Sequence, residues 1–393
     1  MSRLMFTKLM LTDFRNYDFA ELVLDGRSVV LTGPNGAGKT NVLEAISMLS
    51  PGRGLRGARL DELTRRTDAE KPGTKRHWAV SGLVRQGDDE VRIGTGLDPD
   101  HAGTKRIVRI DGFAAPGPGV LAEYFSVVWL TPALDRLFAE GASQRRRFLD
   151  RLVLGTHPGH SAVATSFEKA MRERQRLLEG AAHGTRADEA WLAALEAQMA
   201  EAGVALAAAR LQFVQRLETE IARSAGSAFP QAGLLLTGPL EELLRSGKSA
   251  LDAEDWYHTE LMRRRGADAA AGRALVGPNR SDLEVFFGRD GRQRGRPAKD
   301  CSTGEQKALL IGIVLANARL KRSLAGGAPP VLLLDEIAAH LDEGRREALF
   351  DELYDLGAQA FMTGTDRHLF KAFGERAQYV EIANGCVTSG ASG

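Results

Sequence analysis

Apolar positions along this chain change their period twice. Over the first 40 residues short apolar clusters predict strand, turn, strand, loop and helix. Val29-Val30-Leu31 has the form of a buried strand and leads through the glycine-rich Gly33–Thr40 into a helical segment, Asn41–Leu49. From Trp78 to Ile110 the residues alternate: Trp78, Val80, Gly82 and Val84 share one face, Gln86–Asp89 turn, and Val91 and Ile93 return, which predicts a hairpin. Val127–Leu130 is a further buried-strand run. The period then becomes helical. In Ser143–Leu154, Phe148 and Leu152, and Leu149 and Val153, are paired four apart. Leu192, Leu195, Met199, Ala202, Leu206, Ala209, Phe213 and Leu217 form a heptad-like stripe. A helix over 186–223 would be about 55 Å long. Val163, Phe167, Ala170 and Leu177 predict its antiparallel partner, with the turn in Gly180–Thr185. Two readings stay open: a helical subdomain packed on itself, or a shortened coiled coil.

Strand signals return at Leu283–Phe287, Val331–Leu334, Gln359–Met362 and Tyr379–Ile382, and Asn384-Gly385 marks a tight hairpin. Gly288–Lys299, rich in arginine and glycine, reads as a mobile loop. Strands at both ends with helix inserted between them predict an α/β protein in two lobes, and 393 residues are enough for both cores.

Composition changes this picture little. Hydrophobic residues are 43%, charged residues 26%, and the net charge is +1, so any nucleic-acid site must be a local patch. The two cysteines, Cys301 and Cys386, have no zinc spacing, and a reducing cytoplasm is the expected compartment. No secretion signal or membrane-spanning run is read from the sequence.

Chemistry is concentrated in three motifs. Gly33-Pro34-Asn35-Gly36-Ala37-Gly38-Lys39-Thr40 fits the phosphate loop G-x-x-x-x-G-K-T. Its glycines let successive N–H groups curl toward phosphate oxygens at a helix N-terminus, Lys39 reaches the β- and γ-phosphates, and Thr40 ligates Mg²⁺. Val331–Leu334 followed by Asp335-Glu336 has the Walker B layout: Asp335 joins the Mg²⁺ shell and Glu336 polarises water. Cys301–Lys307 precedes a helix and is similar to the S-G-G-Q signature of ABC ATPases, with Ser302 and Gly304 matching and Thr303 departing. As a rival reading, Ser302 is only a helix cap. Ala338–Asp342 takes the D-loop position. After the next strand, Thr365 or Asp366 stands where transporter ATPases carry a histidine, and His368 reads as a surface residue. The nearly 300 residues between phosphate loop and Walker B are the ABC-head arrangement. The layout predicts an ABC/SMC-type head: ATPase lobe 1–135, helical lobe 136–300, and signature, Walker B and return to the first lobe over 301–393.

The chain resembles the RecF family of ABC/SMC-type ATPases. The likeness rests on Asp13-Phe14-Arg15-Asn16-Tyr17, Asn41–Ile46, Arg53-Gly54-Leu55-Arg56, Arg145-Arg146-Arg147-Phe148-Leu149-Asp150 and Val276–Leu283, in order over nearly the whole chain. It departs where Val128–Pro132 offers no Q-loop glutamine, leaving Thr131 as the nearest polar group. The resemblance implies Arg15 and Asn16 near the nucleotide, slow ATP hydrolysis, an ATP-dependent homodimer, binding to single-stranded DNA and to gapped or single-stranded/duplex junction DNA, and loading of RecA with RecR and RecO. It also ranks Arg53, Arg56, Arg145, Arg146 and Arg147 first as DNA contacts, ahead of Arg263–Arg265. Three alternatives stay open: the ATPase of a membrane transporter, a double-strand-break repair head, whose long arms and zinc hook are absent from the sequence, and a non-hydrolysing DNA scaffold.

Overall fold

The computed structural model describes residues 4–66, 76–100, 105–157, 159–182, 188–224, 226–290, 293–324, 328–383 and 385–389. In chain order the elements are β1 (Leu4–Phe14), β2 (Tyr17–Val23), β3 (Ser28–Thr32), α1 (Lys39–Met48), β4 (Ala79–Gln86), β5 (Asp89–Leu97), β6 (Arg106–Ile110), β7 (Phe113–Ala114) and β8 (Val127–Leu130). Then come α2 (Ala142–Leu154), α3 (His160–Ala182), α4 (Glu189–Arg223), β9 (Ala232–Thr237), α5 (Pro239–Arg245), α6 (Ala250–Arg263), α7 (Arg265–Ala271), β10 (Asp282–Asp290) and β11 (Gln293–Pro297). The chain closes with α8 (Thr303–Leu324), β12 (Val331–Leu334), α9 (Glu343–Leu356), β13 (Ala360–Gly364), β14 (Ala377–Ala383) and β15 (Cys386–Ser389). Two compact units result: Met1–Asp135 with Gly226–Phe229 and Val314–Gly393, and Arg136–Ala225 with Pro230–Ile313. The boundary expected at 300/301 falls instead at 313/314, inside α8.

The first unit carries two sheets among its described residues. One is antiparallel, in the order β2-β1-β4-β5-β6-β7. The other, β15-β14-β3-β13-β12-β8, is parallel except for its β14–β15 edge. Three strands precede the phosphate loop rather than two, because Leu4–Phe14 and Tyr17–Val23 already form a hairpin before β3. At the far end Ala383 pairs with Cys386 as a two-residue turn requires, though Asn384 lies outside the described residues. The Phe6 ring meets Phe125 edge-on at 5.1 Å and Phe361 at 6.3 Å, which joins the two sheets. Between them the buried Gln359 amide accepts from the Phe6 N–H (2.7 Å) and donates to the carbonyls of Phe6 and Arg27 (3.2 Å each). Backbone groups that leave one sheet facing another need such a partner.

The second unit is built on α3 and α4. Ser166 pairs with Gln198 and Arg174 with Glu196, so the two helices run in opposite directions. Helix α3 continues through Gly180 to Ala182, so the expected turn cannot begin at Gly180; residues 183–187 lie outside the described residues. All of the α4 stripe is buried except Ala209, which is half-buried. Ala200, Gly203, Val204, Ala207 and Val214 are buried as well. Tyr257 and Leu261 of α6 cover this second side, which makes the pair part of a packed subdomain. By length and composition α4 alone among the described helices could cross a membrane, yet 56% of its most apolar window is buried inside the protein, as in a core helix. Strands β11-β10-β9 form a third sheet, and the run read as a mobile loop, Gly288–Lys299, is in fact largely the β10–β11 hairpin.

Replacing Gln359 with Leu leaves the Phe6 N–H and two carbonyls without their partner. Urea unfolding should show a loss of about 3 kcal/mol, since each unsatisfied buried group costs roughly 1–3 kcal/mol. A change within about 0.5 kcal/mol, the range of an ordinary surface substitution, contradicts this role.

Candidate nucleotide site and basic clusters

The first unit assembles the phosphate loop from backbone constraints. Buried β3 delivers the chain to Gly33, whose φ of 145° is open to glycine and where a Cβ would lie 2.0 Å from the Ile382 carbonyl. Gly38, at φ 117°, caps α1, and a Cβ there would meet the Asn16 amide at 2.6 Å and the Tyr17 hydroxyl at 2.7 Å. The cradle fits a phosphate chain because α1 opens with free N–H groups at this end. Lys39 Nζ donates to the carbonyls of Gly33 (2.7 Å) and Pro34 (2.9 Å). Burial lowers the pKa of its ammonium, and Glu336 and Asp335 oppose that shift.

Two parallel strands bring the acids to the same place. The four residues of β12 are all buried, and the chain emerges at Asp335. One oxygen of this carboxylate, Oδ1, accepts from Thr40 (2.9 Å) and from Thr363 (2.8 Å). Thr363 also receives the Glu336 N–H at 2.8 Å. Glu336 has φ 53° and ψ 20°, a left-handed conformation that a residue with a side chain adopts at a cost. Sequence reading passed over Thr363. Its signal was register: Leu334 pairs with Met362, which sets Thr363 beside Asp335. On the other flank Leu334 pairs with Leu130, so Thr131, half-buried, follows into the row of Asp335. Asp342 caps α9 through the Arg345 N–H (2.9 Å). Thr365 and Asp366 are exposed, Asp366 accepts from the His368 N–H (2.8 Å), and His368 is a surface residue.

The β1–β2 turn clamps the loop from behind. Asn16 Nδ2 donates to the Ala37 carbonyl (3.0 Å), Tyr17 to the Gly38 carbonyl (3.1 Å), and Asn41 to Asn16 Oδ1 (2.7 Å). Arg15, at φ 55°, forms a bidentate pair with buried Glu44 of α1, both bonds 2.8 Å. Arg56 shares that carboxylate (3.0 Å) and donates to Asn41 Oδ1 (2.8 Å). Asn16 thus touches the loop itself, while Arg15 and Arg56 brace its helix through Glu44.

In the second unit Ser302 caps α8. The Glu305 carboxylate accepts from the Ser302 N–H (2.8 Å) and hydroxyl (2.9 Å), and the Glu305 N–H donates back to Ser302 Oγ (3.3 Å). The Ser302 backbone and hydroxyl, with Arg296 behind them, hold the Glu305 carboxyl below its usual range. The cap geometry is therefore present. Ser302, Thr303 and Gly304 are nevertheless all exposed, and a Cβ on Gly304 would meet nothing within 4 Å, so the helix N-terminus stands open.

The basic clusters separate by partner. Arg53 and Arg147 are exposed. Arg145 is held bidentate by Asp282 (2.8 Å twice), and Arg146 donates to the Ser281 carbonyl (2.7 Å). Arg263 and Arg264 pair with Glu260, and Arg265 pairs with Glu196 and Glu189, which neutralises that run. The family-like segments Arg145–Asp150 and Val276–Leu283 thus grip each other.

Replacing Thr363 with Val keeps the shape and removes both bonds. Steady-state hydrolysis should fall about tenfold in kcat, with KM for ATP within about twofold, because a bond to a charged group is worth roughly 1.5–3 kcal/mol. An unchanged kcat would remove Thr363 from the site.

The chain matches the model of the RecF/RecN/SMC N terminal domain over residues 5–388. The "DNA replication and repair protein RecF" of Agrobacterium fabrum is 51% identical over 385 residues, covering 98% of each chain. The protein of the same name from Caulobacter vibrioides is 51% identical over 385 residues, covering 97% of each. Among solved structures, "the recombination mediator protein RecF-ATPrS in RecFOR pathway" superposes with a TM-score of 0.83 at 22% identity, over 99% of both chains. An SMC head domain from Pyrococcus furiosus reaches 0.53 at 15% identity, over 98% of this chain and 95% of its own. The fold is therefore that of an ABC/SMC-type ATPase head, and the chain belongs to the RecF family of that superfamily.

Proposed function

We propose that the chain is an ATP-switched DNA-binding ATPase of replication and recombinational repair. The observation that carries this reading is the convergence of Thr40, Asp335, Glu336 and Thr363 at the mouth of the phosphate loop. Kinship over almost the full length with proteins named for DNA replication and repair supports it over a transporter subunit. ATP is the substrate. Mg²⁺ fits the oxygen set, since this ion takes one or two carboxylates and completes its shell with phosphate oxygens and water. The Thr40 hydroxyl and the Asp335 carboxylate would hold it, and it would neutralise charge on the phosphates. Lys39 neutralises the same phosphates from inside the loop, and Glu336 orients and deprotonates the attacking water. The segment Val128–Pro132 offers no glutamine for the Q-loop task, and Thr131 takes that position. DNA stimulates slow hydrolysis, so that ATP acts as a switch.

Exposed Ser302 and the open start of α8 suit a second copy, whose bound γ-phosphate they would face in an ATP-dependent homodimer. DNA with a gap or a single-stranded/duplex junction is the ligand, and Arg53, Arg56, Arg145, Arg146 and Arg147 are the basic residues that serve it. Arg53 and Arg147, being exposed, touch phosphates directly. Arg56 and Arg145, committed to carboxylates, act by fixing the segments around them. RecR and RecO are the partners in loading RecA and in the SOS response, a reading supported by the pathway named for the solved relative.

The Glu336→Gln variant should bind ATP, hydrolyse it very slowly, and double in mass by light scattering when ATP, but not ADP, is added. Adding Ser302→Arg should leave ATP binding intact and abolish the doubling. A double variant that dimerises as readily as Glu336→Gln alone reduces Ser302 to a helix cap. Rapid hydrolysis by Glu336→Gln removes Glu336 as the base.

Arg53→Ala and Arg147→Ala should each weaken DNA binding alike for all sequences and lower the salt slope by about one unit, with ATP affinity unchanged. Wild-type slopes for both move the DNA face elsewhere.

A further inference from the structure

Three guanidinium groups of the second unit converge on the stretch Pro278–Asp282, which carries a fourth, that of Arg280. Arg210 Nη1 donates to the Pro278 carbonyl (2.7 Å) and Arg146 Nη1 to the Ser281 carbonyl (2.7 Å). Arg145 takes the Asp282 carboxylate, and Arg280 folds back to the Ala274 carbonyl at 3.0 Å. Two of the four are balanced. Asp282 neutralises Arg145, and Asp150 holds Arg210 through bonds of 2.7 and 2.8 Å while also accepting from His160 (3.0 Å). Among the described residues, Arg146 and Arg280 have only these backbone carbonyls as hydrogen-bond partners.

Two further acids are near: Glu284, which acts on Arg145, and Glu241, which does not restore the balance. Glu241 is buried against the Ser281 hydroxyl, and burial holds its carboxyl above the usual range. Burial, then repulsion from Arg210, lowers the pKa of Arg146; Arg280 adds repulsion, while Asp282 and Asp150 oppose the shift. Both Arg146 and Arg280 are half-buried, so neither residue is sealed from solvent. Each spends one of five N–H donors on a carbonyl. Two adjacent guanidiniums without a carboxylate are costly, and a phosphate oxygen is the ligand that their geometry matches best.

We propose that Arg146 and Arg280 together form a phosphate-binding pair, whose ligand is the phosphodiester backbone of DNA. This rests on the DNA-binding function proposed above and adds Arg280, which the sequence motifs did not single out as a contact. Arg145 and Arg210 are the positioning residues that hold Pro278–Asp282 in place.

Anisotropy titrations of duplex and gapped DNA across a range of salt concentrations test the pair. Arg280→Gln should lower the magnitude of the salt slope by about one unit, and Arg146→Gln with Arg280→Gln by about two. The Arg280→Gln chain should fold, because Asn279 Nδ2 also donates to the Ala274 carbonyl (3.1 Å) and keeps it satisfied. Arg280→Lys, which keeps the charge, should retain most of the slope. A lysine variant as impaired as the glutamine variant shows a purely structural role and overturns the proposal, as do glutamine variants with the wild-type slope. Inorganic phosphate at constant ionic strength separates the two sources. Phosphate binding that is lost in the double variant while the DNA slope is unchanged assigns the pair to a free anion and overturns the DNA assignment. Wild-type chain that binds no DNA even at low salt overturns the proposed function itself.

Discussion

A single carboxylate oxygen sets the geometry of this protein's chemistry. Oδ1 of Asp335 accepts hydroxyl bonds from Thr40 at the start of α1 and from Thr363 at the end of β13. Those bonds fix the phosphate-loop helix against two neighbouring strands of the parallel sheet, at the edge where their C-terminal ends emerge. In such sheets ligands bind outside the carboxyl ends of the strands, and the loop lies there. The Glu336 N–H, held by the same threonine, fixes where the next side chain begins. Removing the shared acceptor would break both bonds at once, whereas removing the Thr40 hydroxyl breaks one.

Around that point the protein accepts unfavourable local states. Asp13, Arg15 and Glu336 all adopt positive φ without being glycine, and all lie in or next to the nucleotide-binding segments. Each such residue costs of the order of 1–3 kcal/mol and persists because its surroundings over-determine it. For Arg15 the restraint is visible: two bonds to Glu44 and one to the Glu62 carbonyl (3.0 Å). Glu44 is almost wholly buried, so it needs both Arg15 and Arg56 to compensate its lost hydration.

The sequence made the periodic and the punctuated parts legible. Val127–Leu130 and Val331–Leu334 were readable as strands to the residue, because buried parallel strands are continuous apolar runs. Ala232–Thr237 has a similar run, yet its short length beside a long helix hid it. The phosphate loop and Asp335 were legible since their spacing follows from local backbone chemistry. Thr363 and Glu44 were not, because their roles depend on partners that only long-range pairing supplies. The same blindness affected the arginines. A run of three cations at Arg145–Arg147 looks uniform in sequence, but one faces Asp282, 137 positions away, one meets a carbonyl, and one is exposed. The expected loop at Gly288–Lys299 failed for a related reason: its pairing partner is its own neighbour, and arginine with glycine conceals a hairpin whose strands carry little apolar alternation.

Strand β3 has consequences for how the chain is made. Its two sheet neighbours are β13 and β14, more than 300 residues further along the chain. A nascent chain therefore exposes an unpaired Val29-Val30-Leu31 edge throughout synthesis of the α2–α7 region, which has a core of its own. The helical unit is free to fold first, while the nucleotide-binding half waits for β13 and β14 to leave the ribosome. Such pairings between distant segments are slow to form, and the waiting edge is open to wrong partners. The price of placing the phosphate loop at the centre of a sheet that joins strands more than 300 residues apart is that ATP has no preformed site until the later strands are made.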